Sequence, residues 1–277
     1  MVVAVGMGVA LAYFLLPLFW LTVSSTKSIG ELFTTFGLWF APENNLVDNV
    51  SETLRRDDGI YVGWLRNTVV YSVTAAVGAA VLSALGGYGF AKFAFRGKNF
   101  LFLAVLGSIM VPTTALAIPT YLLFSDVGLV NTGWAIVLPS LVSPFGIFLM
   151  RVYAADAVPD SLIEAGRVDG ASELRIFFSI VLRLLVPGFV TVLLFTLVAT
   201  WNNYFLPLIM LSDPALYPVT VGLAQWQAVA AGGGGGSAGL LPLVITGSLL
   251  SVLPLIAAFL VLQRYWRSGL DAGAVKQ

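Results

Sequence analysis

Six long stretches of this 277-residue chain carry no charge at all: 1–26, 67–91, 99–125, 127–150, 184–212 and 214–263. Each exceeds the roughly 20 residues that take a helix across a bilayer. A water-soluble domain of this length would need charge on about a quarter of its residues to cover its surface. Here charged residues make up 10%, hydrophobic residues 58%, and the mean hydropathy is +0.94. The solvent for most of the chain is therefore lipid.

Lipid offers no partner to a free backbone amide, so a chain of this pattern crosses it as helices. The expected fold class is an all-α membrane protein with six transmembrane helices, forming a single domain over residues 1–277. The expected spans are Met1–Thr26, Asn67–Ala91, Asn99–Ser125, Val127–Met150, a helix within Leu184–Ser212, and Leu240–Gln263. The last uncharged run is longer than a span needs. Its first half holds Pro214, Pro218, Gln225, Gln227 and the glycines Gly232 to Gly236, too polar and broken for a lipid-facing helix. The glycine run reads as a flexible connector, natural or introduced. The first run lacks preceding basic residues and a small-residue cleavage site, so a retained span is expected.

Six spans place both termini on one side. The loops on that side, with the tail, carry Lys92, Arg96, Lys98, Arg151, Arg167, Arg175, Arg183, Arg264, Arg267 and Lys276; the opposite side carries only Lys27, Arg55, Arg56 and Arg66. Excess Lys and Arg mark the cytoplasmic side. Both termini, the loop 151–183 and the tail 264–277 are thus expected in the cytoplasm, and 27–66 forms an outer loop.

Much follows from what is missing. The sequence has no Cys and no His, which removes Cys/His zinc sites, thiol nucleophiles, imidazole bases and disulfides. No catalytic residue and no metal ligand set is expected. Pumps and ion-coupled carriers bury ionisable groups at membrane depth; none lies well inside these runs, although sodium coupling through backbone carbonyls stays open. No G-x-x-x-x-G-K-[ST] loop is present for ATP hydrolysis. Energy for uphill transport then enters from a partner.

A candidate docking surface for such a partner is the dense charged patch of the second half, where Arg151, Asp156, Asp160, Glu164, Arg167, Asp169, Glu173, Arg175 and Arg183 interrupt the oily sequence. Pro159 and Asp160 suit a helix start and Gly170 its end. Leu162, Ala165, Gly166 and Asp169 recur at i, i+3, i+4 and i+7, which predicts a shared face of little bulk, with Glu164, Arg167 and Glu173 as a polar rim. A second helix begins at Ala171–Ser172 and leads toward the fifth span. From the residues alone, a docking helix and an amphipathic helix lying on lipid both remain open.

This stretch, VPDSLIEAGRVDGASELRIFFSIVLRLLVPG, resembles the EAA loop of ABC importer permeases, whose pattern is E-A-A-x-x-x-G followed by I-x-L-P. Glu164, Ala165 and Gly170 match, Asp169 and Ala171 fit the common D-G-A form, and Ile180 and Leu182 match the later apolar pair. Gly166 replaces the second Ala. Arg183 stands where Pro is usual, with Pro187 further on, so the bend into the fifth span is expected later or softer. WLRNTVVYSV, YGFAKFAFRGK, GLVNTGWAIVLPSLVSPFGIFLMR, WNNYFLPLIML and QRYWRSGLDAGAVKQ extend the likeness to the maltose-type carbohydrate branch, similar to its maltose-transport-G-like inner-membrane subunit.

The resemblance implies a multi-pass subunit of a bacterial or archaeal cell membrane, with a type I importer core over 63–263. It also implies the partners: a second homologous permease, two cytoplasmic ATPase subunits that hold ATP and Mg, and an extracytoplasmic solute-binding protein. This chain itself would be no enzyme and hold no cofactor. Leu162, Glu164, Ala165, Gly166, Asp169, Gly170 and Ala171 would couple to the ATPase. Ser268, Gly269 and Gly273 in the tail would touch it as well. Trp201, Asn202, Asn203 and Tyr204 combine hydrogen-bonding and stacking groups and are candidate solute contacts; helix–helix hydrogen bonding is the competing reading. Asn131 and Trp134 read as structural anchors, and GGYGF (86–90) as a close helix contact. An autonomous carrier or channel for a small polar solute is the alternative, and co-purification of an ATPase separates the two. An intramembrane enzyme fits poorly, because Ser237 has no His to act as its base.

Overall fold

The computed structural model describes residues 2–232 and 239–274. Among them every regular element is helical: α1 (Val2–Ser25), α2 (Ile29–Thr34), α3 (Leu46–Lys92), α4 (Lys98–Ser108), α5 (Ala117–Asp126), α6 (Trp134–Ser140), α7 (Pro144–Ala157), α8 (Asp160–Val168), α9 (Glu173–Ile176), α10 (Leu182–Leu184), α11 (Val186–Trp201), α12 (Phe205–Met210), α13 (Val219–Ala231) and α14 (Leu240–Ala274). Gly232 caps α13, and the other four glycines of the run, Gly233 to Gly236, lie outside the described residues.

The six uncharged runs map onto four continuous stretches and two bent pairs. Val2–Ser25, Leu46–Lys92, Trp134–Ala157 and Leu240–Gln263 are long and apolar enough to cross a membrane. Lys98–Ser108 with Thr113–Asp126 turns by 98°, and Glu173–Leu184 with Val186–Trp201 by 83°; counting each pair as one span brings the number to six. Proline explains both turns. Pro112 has extended backbone (φ −60°, ψ 124°) and no N–H to continue the helix. Pro187 cannot donate to the carbonyl of Arg183, four residues back, and the chain turns at Leu185. The bend into the fifth span therefore comes at Leu185, later than Arg183 as expected, and it is sharp rather than soft.

Several boundaries differ from the charge-free runs. The fourth span begins at Trp134, because Gly128 and Asn131 take positive φ (69° and 59°) and shape a loop. It continues past Arg151 to Ala157, since the Arg151 guanidinium lies 3.7 Å from the Phe102 ring centroid and its long stem stays on the helix surface. The segment 27–66 is helical from Leu46 onward, with a break at Arg56–Gly59 where Asp57, Asp58 and Gly59 have φ of 47°, 57° and 79°. The fifth span ends at Trp201, and Leu211–Ser212 lie beyond α12. The polar half-run after Asp213 holds α13, whose Val219, Val221, Leu223 and Trp226 are buried.

The chain divides into two compact units, Met1–Thr68 with Asp213–Ala257, and Val69–Ser212 with Ala258–Gln277. In the first, the segment after Asp213 is sewn onto α3. Trp64 Nε1 donates to the Pro214 carbonyl (2.9 Å), Asn67 Nδ2 to Ala215 and Tyr217 carbonyls (2.8 and 3.2 Å), and the Val219 amide to Thr68 Oγ1 (2.8 Å). Gly222 leaves the space that the Trp64 indole fills. In the second unit, Gly87 lets α3 meet α7: a β-carbon there would stand 2.6 Å from the backbone of Met150 and Arg151. The GGYGF stretch is thus a close helix contact. Asn131 anchors its loop, its Oδ1 accepting from the Ser212 amide (2.9 Å) and its own amide donating to the Met210 carbonyl (2.8 Å).

Candidate functional site

The charged patch folds as α8 and its continuation, and local chemistry sets each end. Pro159 has extended backbone before the first turn, and Asp160 places a carboxylate at the positive end of the helix. At the other end Gly170 takes φ +76°. Its amide donates to the Arg167 carbonyl and the Ala171 amide to the Gly166 carbonyl, both at 3.0 Å. These two bonds form a Schellman stop, which needs a left-handed residue and so favours Gly at 170. Ser172 then caps α9, its Oγ accepting from the Arg175 amide (3.4 Å), and a π turn over Phe177–Val181 leads to α10.

Packing splits the small-residue face expected from sequence. Ile163 and Gly166 are buried, and Gly166 lies against Ile176 of the same chain, where a β-carbon would stand 3.0 Å from Ile176 Cγ1. Gly166 therefore faces inward and belongs to the fold of the loop rather than to its outer surface. Leu162, Glu164, Ala165, Asp169 and Gly170 are exposed, and Ala171 is half-buried. The outer surface also includes Val168, 87% exposed, which sequence periodicity did not single out. An exposed Val beside two charged residues was its only signal.

Ion pairs frame the helix. Arg167 Nε lies 2.6 Å from Glu173 Oε1 and Lys92 Nζ 2.8 Å from Asp160 Oδ1. Its hydrogen bond to the Glu173 carboxylate holds the Arg167 guanidinium above its ordinary value, so it stays charged. Ala91, Lys92, Asp160, Ile163, Glu164 and Arg167 line a cavity of about 360 Å³. Its lining combines two cations with two carboxylates, suited to a polar or charged side chain from outside.

The second candidate cluster sits where the fifth span ends. Trp201 is the last residue of α11 and only 6% exposed, so its ring is packed rather than open. Asn202 is exposed and its Nδ2 donates to the Val198 carbonyl (2.9 Å). Asn203 Oδ1 accepts from the Leu206 amide (3.4 Å) and so starts α12. Tyr204 is 42% exposed. Helix-end hydrogen bonding thus occupies both Asn side chains, and Asn202 and Tyr204 are the two members of the cluster that reach the surface. The backbone of Ser268, Gly269 and Gly273 falls on the end of α14; their side-chain surroundings lie outside the described residues.

Residues 76–267, which include α8 and both bent pairs, match the family model described as binding-protein-dependent transport system inner membrane component. The chain belongs to that family. Arabinooligosaccharides transport system permease protein AraQ of Halalkalibacterium halodurans is 32% identical over 261 residues, covering 94% of this permease and 90% of the relative. Lactose transport system permease protein LacG of Rhizobium radiobacter is 30% identical over 263 residues, with 94% and 90% covered. Maltodextrin transport system permease protein MdxG of Bacillus subtilis is 32% identical over 229 residues, with 79% and 77% covered. One chain of a bacterial ABC transporter involved in alginate import has the same fold, with TM-score 0.82 at 23% identity over 96% of this permease and 95% of that chain. This permease is accordingly a multi-pass inner-membrane component of a transport system.

Proposed function

We propose that this permease is one half of the translocation pathway of an ATP-driven, binding-protein-dependent importer for a carbohydrate, a di- or oligosaccharide in particular. Six spans with both termini in the cytoplasm suit its ten-to-four distribution of basic residues, and each bent pair then crosses once. The names of the relatives, which concern arabino-oligosaccharides, lactose and maltodextrin, support a sugar as the solute. A second permease, two ATPase subunits that hold ATP and Mg, and an extracytoplasmic binding protein complete the assembly. Nucleotide chemistry belongs to the ATPase subunits; this chain makes and breaks no bond.

The observation that carries this reading is α8 itself. It is a short, firmly stopped helix whose Leu162, Glu164, Ala165 and Asp169 stand free, joined through a π turn and a sharp bend to α11. Seated in an ATPase cleft, α8 passes nucleotide-driven closure to the spans, and the solute site weakens as the pathway switches sides. Ser268, Gly269 and Gly273 add a second contact with the ATPase. Asn202 and Tyr204 offer the solute a hydrogen bond and a ring face, and Trp201 and Asn203 hold them in place.

Uptake of labelled arabinotriose, lactose and maltotriose by cells carrying the Glu164→Ala variant tests the coupling role. The variant should reach the membrane in normal amount and transport none of the sugars that the wild type takes up. Transport equal to wild type would remove α8 from the coupling pathway.

A further inference from the structure

Nine residues make a helix of about 13 Å, which is marginal in water without outside support. For α8 that support comes from three places in its own chain. Its middle rests through Gly166 on Ile176, and Ile163 joins the same buried cluster. Its last turn is tied to α9 by Arg167–Glu173. Its first turn is tied elsewhere, to the end of α3, by Lys92–Asp160 at 2.8 Å.

The third tie differs in kind. The first two join α8 to the segment that follows it in sequence. Lys92 is the last residue of α3, a helix that includes the second expected span. Its side chain is 12% exposed whereas that of Asp160 is 75% exposed. A cation at the carboxyl end of α3 and an anion at the amino end of α8 each suit the helix they sit on, so the pair links two favourably placed charges. The next residue reinforces it. Phe93 lies 6.0 Å from the Arg167 guanidinium and meets Tyr88 edge to face at 5.4 Å, and Tyr88 in turn contacts Phe177 at 5.7 Å. The end of α3 thus touches α8 at both of its ends.

We propose that Lys92 is a positioning residue that locks the first turn of α8 to the inner end of α3, so that movement of α8 enters the second span as well as the fifth. The proposal rests on α8 being the coupling helix. Without the lock, the first turn of α8 is held only by its chain link to α7 through Val158 and Pro159, and it can shift before force reaches α3.

The absence of Cys from the sequence makes this directly measurable. Spin labels on Ser161→Cys, which is exposed, and Gly89→Cys, where a β-carbon meets nothing within 4 Å, report the distance between α8 and α3 in the assembled importer. With Lys92 and Asp160 intact, one narrow distance is expected, the same with and without ATP. Lys92→Asp should lose the narrow peak, Lys92→Met should broaden it, and Lys92→Asp with Asp160→Lys should recover it. Recovery by the swap would add support, although it reverses both charges against their helix ends; a Lys92→Met distribution as narrow as wild type would overturn the lock. ATPase subunits that co-purify and respond normally with Glu164→Ala would instead refute the coupling reading, and the distances would still report whether the lock exists.

Discussion

A β-carbon on Gly166 would stand 3.0 Å from Cγ1 of Ile176, and 3.3 Å from its Cδ1. Glycine here is a packing choice, made where α8 rests on Ile176 at the end of α9. Two effects oppose each other at this position. Alanine raises helix propensity by up to about 1 kcal/mol, while the added methyl has to displace Ile176 by a few tenths of an ångström. Gly166→Ala is expected to change the melting temperature of the purified permease little. Gly166→Val forces a real shift and should destabilise it by about 1–3 kcal/mol. A valine variant that melts with the wild type would refute the buried placement.

The stop of α8 depends on φ +76° at Gly170. Gly170→Ala places a side chain in the left-handed region at a cost of about 1 kcal/mol and should slow uptake modestly. Gly170→Pro is a harsher change: its φ is held near −65° and it loses the amide that donates to Arg167. Uptake by this variant should vanish although the protein is in the membrane. Wild-type uptake by Gly170→Pro would show that the turn is dispensable.

Trp201 and Tyr204 stand close in sequence and differ in exposure, 6% against 42%. Trp201→Ala removes a packed ring and should cost about 3–5 kcal/mol of stability, lowering the amount of folded protein. Tyr204→Ala together with Asn202→Ala should leave the amount unchanged and alter the sugar dependence of ATP hydrolysis in the assembled complex. An identical sugar dependence would place the solute contacts elsewhere.

The segment 27–66 carries a pH-sensitive clasp. Glu31 Oε2 accepts from the Ser28 amide and hydroxyl at 2.9 Å each, and from Asn45 Nδ2 at 3.2 Å. The Ser28 amide, followed by its hydroxyl, holds the Glu31 carboxyl below its ordinary value of 4.5, against the opposing pull of burial. A depressed carboxylate stabilises the fold fully above the unfolded value, and that contribution is lost as pH falls through the folded one. Hydrogen-exchange protection of α2 should therefore be constant at neutral pH and fall only below 4.5. Glu31→Ala should show the lower protection at neutral pH already; undiminished protection would exclude the clasp.

Much of α8 was legible because its signals are local. Pro159, Asp160, Gly170 and Ser172 act on their own or neighbouring backbone groups, and the structure puts a helix start, a stop and a second cap at those places. The inward turn of Gly166 was not legible, since periodicity places residues on a common face without saying which face another segment covers. Lys92 escaped notice for the same reason: its partner is 68 residues away. Trp64 and Pro214 are 150 apart, and a half-run too polar and broken for a lipid-facing helix does not by itself announce α13, whose Trp226 packs against Tyr61 and Trp64.

Hydropathy and the placement of charge determined by themselves that this chain lives in lipid as helices, because an unpaired amide in hydrocarbon has no other remedy. They also determined that its charges fall between the apolar runs, most of them in 27–66 and 151–183. Only the tertiary structure decided which spans run straight and which turn by more than 80°, which small residue is buried, and which distant lysine holds the first turn of α8. Those outcomes depend on side chains from separated segments competing for the same space, and no run of adjacent residues records the result.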